Sequence, residues 1–269
     1  MIRVGVGGWT FEPWRGTFFP QGLMKVQELA HASRHLTSIE VNGTFYRTQS
    51  PATFRKWADE TPDDFVFSLK GPRYVVSRGR LAEAGDSIRR FVESGITELG
   101  TKLGPILWQL APTKAFEAAD LEAFLELLPR EVEGRALRHV VEVRHESFRV
   151  PAFVELLRRH HMPVVYADSD KYPAIPDPTG DFVYARLQRS TEDEPTGYGP
   201  AALDAWAERL LAWAAGGQPA DLPRVTEGES RTQSCDCFVY FISGAKVRNP
   251  AAAMALIERL RASAPISPV

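Results

Sequence analysis

The stretch VVEVRHES at residues 140–147 predicts a buried strand that also carries charges. Its three valines are β-branched and favour a strand. Glu142 and Arg144 are two residues apart, so both side chains leave a strand from the same face, and His145 follows at the strand end. Because buried charges are costly unless they are paired or used, we expect this face to point toward a polar site.

Seven further strand-like segments occur, and helical segments alternate with them. The other predicted strands cover residues 4–9, 38–46, 65–69, 103–110, 163–169, 182–188 and 235–243. The predicted helices cover residues 23–35, 51–61, 81–94, 118–128, 151–161, 201–215 and 249–262, and residues 216–234 are predicted to be a loop. Alternating strands and helices favour a parallel sheet. Eight strands in a chain of 269 residues predict an α/β fold, a single (β/α)8 barrel of TIM type that spans residues 1–269 as one domain.

One barrel helix should be irregular or missing between strands six and seven. Residues 170–180 contain Pro173, Pro176 and Pro178, which a regular helix does not tolerate. A doubly wound sheet is the competing architecture. The glycines near the first strand lack the spacing of a dinucleotide-binding fingerprint, so the sequence favours the barrel and no nucleotide cofactor is expected.

The composition restricts the class of partner. Hydrophobic residues make up 44% of the chain, and the formal net charge is −2, so the whole molecule should not attract nucleic acid or an anionic membrane. Only Cys235 and Cys237 are present, which excludes a disulfide framework and predicts ordinary strand packing for both. No apolar run could span a bilayer and no signal peptide precedes the first strand. We expect a cytoplasmic protein without a membrane partner, either a monomer or a small homo-oligomer.

Polar side chains cluster at the predicted strand ends. Active sites of this fold lie at the carboxyl ends of the strands, so side chains from different strands should meet there. The predicted site comprises Trp9, Glu40, Asn42, Tyr46, Lys70, Arg73, Gln109, Glu142, Arg144, His145, Asp168 and Arg186.

The charges of this set favour an anionic ligand. Three carboxylates (Glu40, Glu142 and Asp168) face four cations (Lys70, Arg73, Arg144 and Arg186). Arginine binds phosphate and carboxylate in a bidentate manner, so the excess of cations favours a small anionic partner, either phosphorylated or carrying another anionic group. Residues 244–248, just before the last helix, are a further candidate phosphate grip. The alternative is that Glu142–Arg144 and Asp168–Arg186 are structural ion pairs at the top of the barrel.

The candidate catalytic residues are Glu142, His145 and Asp168. Either carboxylate could act as a base, and His145 could act as an acid whose pKa its neighbours tune. Trp9 and Tyr46 could stack on a base or sugar ring. A divalent metal is disfavoured because nearby cations would already neutralise the carboxylates, so the sequence predicts neither a metal nor a cofactor.

Several motifs resemble those of the YecE-like barrel family, a family of proteins with domain of unknown function 72. They are GWTFEPWRGTFFP at residues 8–20, IEVNGTFYR at residues 39–47, GPILWQL at residues 104–110, VEVRH at residues 141–145 and YARL at residues 184–187. The resemblance covers nearly the whole chain and implies a TIM-type barrel, but it supplies no activity. FISGAK at residues 241–246 replaces the Asn-rich segment common in the family, so no ligand contact is carried over to strand eight.

Three functional hypotheses follow. The first is an enzyme, a hydrolase, lyase or isomerase, that acts on a phosphorylated or other anionic small molecule by acid–base chemistry. The second is a protein that binds nucleic acid or processes phosphodiesters, against which the near-neutral net charge counts. The third is a non-catalytic metabolite-binding module.

Overall fold

Eight parallel strands form the barrel in the computed structural model, which describes residues 1–227 and 233–263. The strands are β1 (Ile2–Gly7), β2 (Ser38–Val41), β3 (Val66–Lys70), β4 (Leu103–Gln109), β5 (His139–Glu142), β6 (Val165–Asp168), β7 (Phe182–Leu187) and β8 (Asp236–Phe241). They pair in the order β5, β4, β3, β2, β1, β8, β7, β6. A parallel bridge between Val141 and Val164 joins β5 to β6 and closes the circle. The predicted barrel is confirmed.

The described residues form nine α-helices, most of which cover the outside of the barrel. They are α1 (Glu28–His35), α2 (Gly43–Tyr46), α3 (Pro51–Asp59), α4 (Arg73–Val76), α5 (Gly85–Val92), α6 (Ala118–Glu126), α7 (Pro151–Arg159), α8 (Pro200–Ala214) and α9 (Asn249–Ala262). No helix lies between β6 and β7, since residues 169–181, all of them described, contain none. The irregular link that the prolines predict is therefore confirmed. Glu131–Val132 and Arg135–Ala136 form a short antiparallel ribbon before β5.

The second strand is shorter than the alternation of side chains predicts. The sequence predicts an extended chain over residues 38–46, but β2 ends at Val41 and α2 begins at Gly43. The Thr44 hydroxyl donates hydrogen bonds to the carbonyl oxygens of Val41 at 3.0 Å and of Lys70 at 2.7 Å. These bonds fold the chain back over the end of β3. Part of the predicted loop at residues 216–234 and the end of the predicted domain, residues 264–269, lie outside the described residues.

Alternate residues of each strand fill the barrel interior. An apolar cluster inside it includes Leu107, Val140, Val165, Tyr184 and Tyr240. The aromatic hydroxyls are satisfied there: Tyr240 lies 2.7 Å from the Ser38 hydroxyl, and Tyr184 lies 2.9 Å from that of Ser68. This apolar layer separates the polar mouth of the barrel from its opposite end.

The outward faces of the strands pack on the helices. Trp108 of β4 is fully buried between Phe91 of α5 and Phe124 of α6, with ring centroids 6.0 and 5.8 Å away. Cys235 and Cys237 are buried, in agreement with a packing role. Among the helices of the described ranges, none has both the length and the apolar character needed to cross a bilayer.

Candidate functional site

Arg186 lies at the centre of the barrel mouth and pairs with two buried carboxylates. Its guanidinium Nε and Nη2 donate to the two oxygens of Glu40 at 3.0 and 3.1 Å. Nη1 donates to both oxygens of Glu142, at 2.9 and 2.7 Å. Both glutamates are fully buried, and the Arg186 side chain is 2% exposed. One arginine of β7 thus ties β2 and β5 together across the barrel.

Further donors complete the environment of the two glutamates. Glu142 also accepts hydrogen bonds from Gln109 Nε2 at 2.6 Å and from Arg144 Nε at 3.1 Å, and Glu40 accepts one from the Tyr184 hydroxyl at 2.8 Å. Burial by itself would raise the pKa of Glu142, but the charges of Arg186 and then Arg144 outweigh burial and lower that pKa to about 2. Glu142 is therefore a permanent carboxylate and a poor proton acceptor near neutral pH.

Lys70 ends β3 beside this network and has a different environment. Its side chain is buried, and its Nζ lies 4.2 Å from the centroid of the Phe45 ring. Burial, followed by the neighbouring charge of Arg186, lowers the pKa of Lys70 to about 8, although Glu40 and Glu142 act in the opposite direction. An appreciable fraction of this amine is therefore neutral at ordinary pH.

A cavity of about 510 Å³ opens above these groups. Five cations line it, and within the described part of the chain no aspartate or glutamate does. The cations are Lys70, Arg73, Arg144, Arg186 and Lys246. Asn42, Tyr46 and Gln109 contribute polar atoms. The volume suits a small molecule, and the lining suits an anion.

Three chain segments that follow strands hold the rim in place. Helices α2 and α4 are single turns directly after β2 and β3, and they bring Tyr46 and Arg73 to the cavity. After β1, the indole Nε1 of Trp14 donates to the carbonyl oxygen of Lys246 at 2.9 Å, and Lys246 Nζ lies 4.3 Å from the centroid of the Phe11 ring. The aromatic loop therefore supports a cation supplied by the predicted phosphate grip.

Asp168 is not brought to this cavity. Tyr166, two residues earlier on β6, packs on Trp206 and Trp213 of α8, so this face of the strand points toward the helices. Asp168 instead lies 3.3 Å from Arg189 Nε. Of the two ion pairs in the structural alternative, Asp168–Arg186 does not form, because Arg186 is occupied by carboxylates of two other strands. The Glu142–Arg144 pair of that alternative is present at 3.1 Å.

His145 and Trp9 also lie away from the cavity lining. His145 Nδ1 accepts a hydrogen bond from the Ser147 amide at 3.2 Å and caps the short 3-10 turn Glu146–Phe148. The Trp9 ring packs edge-on against Trp57 of α3, with centroids 5.2 Å apart, in the outer layer. Neither side chain shares the environment of Lys70 and Arg186.

Sequence reasoning missed Phe45 as a member of the site. Phe45 faces Lys70 only because the chain turns helical after β2, whereas an extended chain would place it differently. In the motif IEVNGTFYR, Phe45 lies between two polar residues. The glycine that precedes Thr44 is the feature of the sequence that indicates a turn here.

The side chains that the structure describes do not group as metal ligands. Within residues 1–227 and 233–263, no three His, Cys, Asp or Glu side chains lie close enough together to hold a metal ion.

A larger cavity of about 960 Å³ lies at the opposite end of the barrel, near the starts of β5 and β7 at His139 and Phe182. In this fold that end contributes to stability rather than to catalysis.

The fold and the mouth together define an α/β barrel protein with a polar, cation-lined site at the carboxyl ends of its strands. The chain belongs to the family described as Protein of unknown function DUF72, whose model matches residues 3–268. The resemblance that the motifs indicate is confirmed.

Individual relatives agree with this assignment. The chain is 30% identical over 151 residues to the UPF0759 protein YecE of Escherichia coli strain K12. The matched segment covers 55% of this chain and 50% of YecE. The chain is also 26% identical over 117 residues to the UPF0759 protein YunF of Bacillus subtilis strain 168. This second matched segment covers 42% of the chain and 40% of YunF. The chain spans about half the length of the curated relatives that it matches.

A solved structure shares the whole fold. The crystal structure of a DUF72 family protein from Thermotoga maritima superimposes with a TM-score of 0.72 and 22% sequence identity, over 98% of this chain and 100% of that one. At this identity the likeness shows the fold alone.

Proposed function

We propose that this protein is an enzyme that binds a small phosphorylated molecule in the cavity at the barrel mouth. The main support for the proposal is the lining of that cavity. Five cations face the open space, and among the described residues no carboxylate does. Glu40 and Glu142 lie beneath the lining and are already paired with Arg186. A phosphate monoester carries a charge of about −1.5 to −2 at neutral pH, which the remaining positive charges would balance.

Arg144 is the side chain best suited to contact the phosphate. Its Nε is held by Glu142, and its guanidinium carbon lies 4.4 Å from the centroid of the Tyr172 ring, so the group is positioned before a ligand arrives. The two terminal nitrogens form no hydrogen bond with other described residues and remain free to donate. Preorganised, charge-assisted hydrogen bonds of this kind are among the strong ones.

The acid–base chemistry expected from the sequence is better assigned to Lys70 than to the three predicted catalytic residues. Glu142 has a pKa of about 2 and is buried in ion pairs, while Asp168 and His145 are not among the lining residues. The pKa of Lys70, lowered by burial and then by Arg186 to about 8, lies close to the pH at which a general acid or base is most effective.

Calorimetric titration with ribose 5-phosphate tests the proposal. Wild-type protein should bind, and Arg144→Gln should weaken binding by about ten- to a hundredfold, because a hydrogen bond to a charged group contributes about 1.5–3 kcal/mol. Arg89→Gln is the matched control, since Arg89 is exposed on α5 and, among the described residues, forms an ion pair with Asp86 alone, across one helical turn. Failure of phosphate esters to bind, or equal affinity of both variants, would remove the proposal.

A single-stranded nucleic acid is the second candidate ligand. Tyr46 is 76% exposed at the rim that it shares with Arg73, an arrangement that suits stacking of a base beside a held phosphate. Titration with a labelled oligonucleotide at several salt concentrations discriminates the two, because binding through several phosphates weakens steeply with salt. Absence of binding at low salt would exclude this candidate.

A further inference from the structure

Lys70 differs from the other charged groups at the floor of the cavity because it forms no ion pair with an acidic residue in the part of the chain that the structure describes. Glu40, Glu142 and Arg186 satisfy one another, and Arg144 contributes its Nε to Glu142. Lys70 is only 7% exposed, yet its amine forms no hydrogen bond or ion pair with any residue in the described ranges, and its Nζ lies over the face of the Phe45 ring. The ion pairs of Arg186 with Glu40 and Glu142 therefore do not need the Lys70 amine as a further counter-ion.

The surroundings of Lys70 disfavour its proton. Burial removes water from the ammonium, and Arg186 and Arg144 add like charges nearby, which together lower the pKa of the amine to about 8. These two conditions, desolvation and an adjacent cation, are the ones that convert a lysine into a nucleophile. The other cations of the lining are three arginines, which remain charged, and Lys246 at the rim.

We propose that Lys70 forms an imine with an aldehyde or ketone that carries a phosphate group. The inference rests on the proposed function, since the cationic rim would hold the phosphate while the carbonyl carbon meets the amine at the floor. Within the cavity, Phe45 and Ile242 offer apolar surface to the carbon chain between these two ends.

No reactant other than water and its protons is needed. The neutral Nζ adds its lone pair to the carbonyl carbon, and one Nζ proton passes to the former carbonyl oxygen, which gives a neutral carbinolamine. This hydroxyl takes up one further proton from solvent and leaves as water when the C–O bond breaks, so a C=N bond replaces the C=O bond. The nitrogen keeps its second proton, and the iminium carries the one positive charge that the solvent proton supplied. Hydrolysis reverses the sequence and returns the amine. An iminium withdraws electrons from the adjacent carbon, which is how lysine imines promote lyase and isomerase chemistry.

Reductive trapping tests the inference. The full chain is incubated at pH 7.5 with dihydroxyacetone phosphate or ribose 5-phosphate and sodium cyanoborohydride, and the modified lysines are located by peptide mass spectrometry. Lys70 should be labelled about a hundredfold faster than exposed Lys25 and Lys171, because a pKa near 8 leaves a far larger neutral fraction than an ordinary lysine has. Raising the pH from 6.5 to 8 should increase labelling at Lys70, and further increase should be small.

Matched probes and variants separate the possible outcomes. Dihydroxyacetone and ribose, which lack the phosphate, should label Lys70 much more slowly, and Lys70→Arg should keep a cation while losing the adduct. Because wild-type labelling is mapped directly, the test does not depend on how any variant folds. Phosphate esters that bind without an adduct at Lys70, or labelling spread evenly over exposed lysines, would overturn the imine alone. Failure of the same esters to bind in calorimetry would overturn the proposed function as well.

Discussion

Arg186 is the residue on which the charge balance of the barrel mouth depends. Replacing it with methionine would leave Glu40 and Glu142 buried without their shared counter-ion, and removal of one partner from a buried network typically costs about 3–5 kcal/mol. We therefore expect Arg186→Met to lower the free energy of unfolding by about that amount in urea titrations followed by circular dichroism.

Arg189→Met provides the control for the charge change. The Arg189 side chain is 49% exposed, and its two partners are Asp168, whose side chain is 10% exposed, and Asp170, whose side chain is 81% exposed, so its replacement should cost less than that of the fully buried Arg186. A loss for Arg186→Met no larger than that for Arg189→Met would show that the two buried glutamates do not need Arg186.

The same residues show how far a sequence defines a site. The alternation of side chains predicts that Glu40, Glu142 and Arg186 face the interior, and all three do. It does not predict which of them pair, because Arg186 passes over its neighbours on β6 and β8 to reach carboxylates on β2 and β5. That outcome depends on side-chain reach across a closed barrel, which spacing along one strand does not encode.

At the scale of elements, the closeness of β1 and β2 depends on a glycine. Gly5 pairs with Ser38 in the parallel register, and a Cβ on Gly5 would lie 1.9 Å from the Ser38 carbonyl oxygen. Since the Cβ would be fixed to the backbone of β1 and the oxygen belongs to the backbone of β2, neither atom moves without distorting the barrel. We expect Gly5→Ala to destabilise the protein by about 3 kcal/mol, the upper part of the range for overpacking, as measured by urea unfolding.

Gly79→Ala is the matched glycine substitution. A Cβ on Gly79 meets no atom within 4 Å, so this change should alter the free energy of unfolding by about 1 kcal/mol or less. Similar unfolding midpoints for the two alanine variants would contradict the close approach of β1 and β2.

Two elements explain why the site was only partly predictable. Residues 38–46 alternate as a strand should, yet the hydrogen bond from the Thr44 hydroxyl to the Lys70 carbonyl bends the second half into α2. In β6, both faces are buried, so the sequence of Val165 to Asp168 does not distinguish inside from outside. The expected inward position of Asp168 therefore failed for a physical reason that composition does not reveal.

At the scale of the whole molecule, the barrel is not equally strong around its circumference. β1 pairs continuously with β8 and β2, whereas β5 and β6 share one bridge, between Val141 and Val164. There the Val141 amide donates to the Pro163 carbonyl at 3.1 Å, and proline has no amide to donate in return. The Val164 amide donates to the Thr179 hydroxyl at 3.0 Å instead of to β5.

This seam should be the place where the closed barrel first opens. In hydrogen exchange followed by mass spectrometry at low urea concentration, peptides from β5 and β6 should exchange at least about tenfold faster than those from β1 and β8, which corresponds to about 1.4 kcal/mol less protection. Thr179→Val, which deprives the Val164 amide of its acceptor, should speed exchange at β6 further and leave β1 unchanged. Exchange of all eight strands at one common rate would mean that the barrel opens only by global unfolding, and the seam would then have no separate stability.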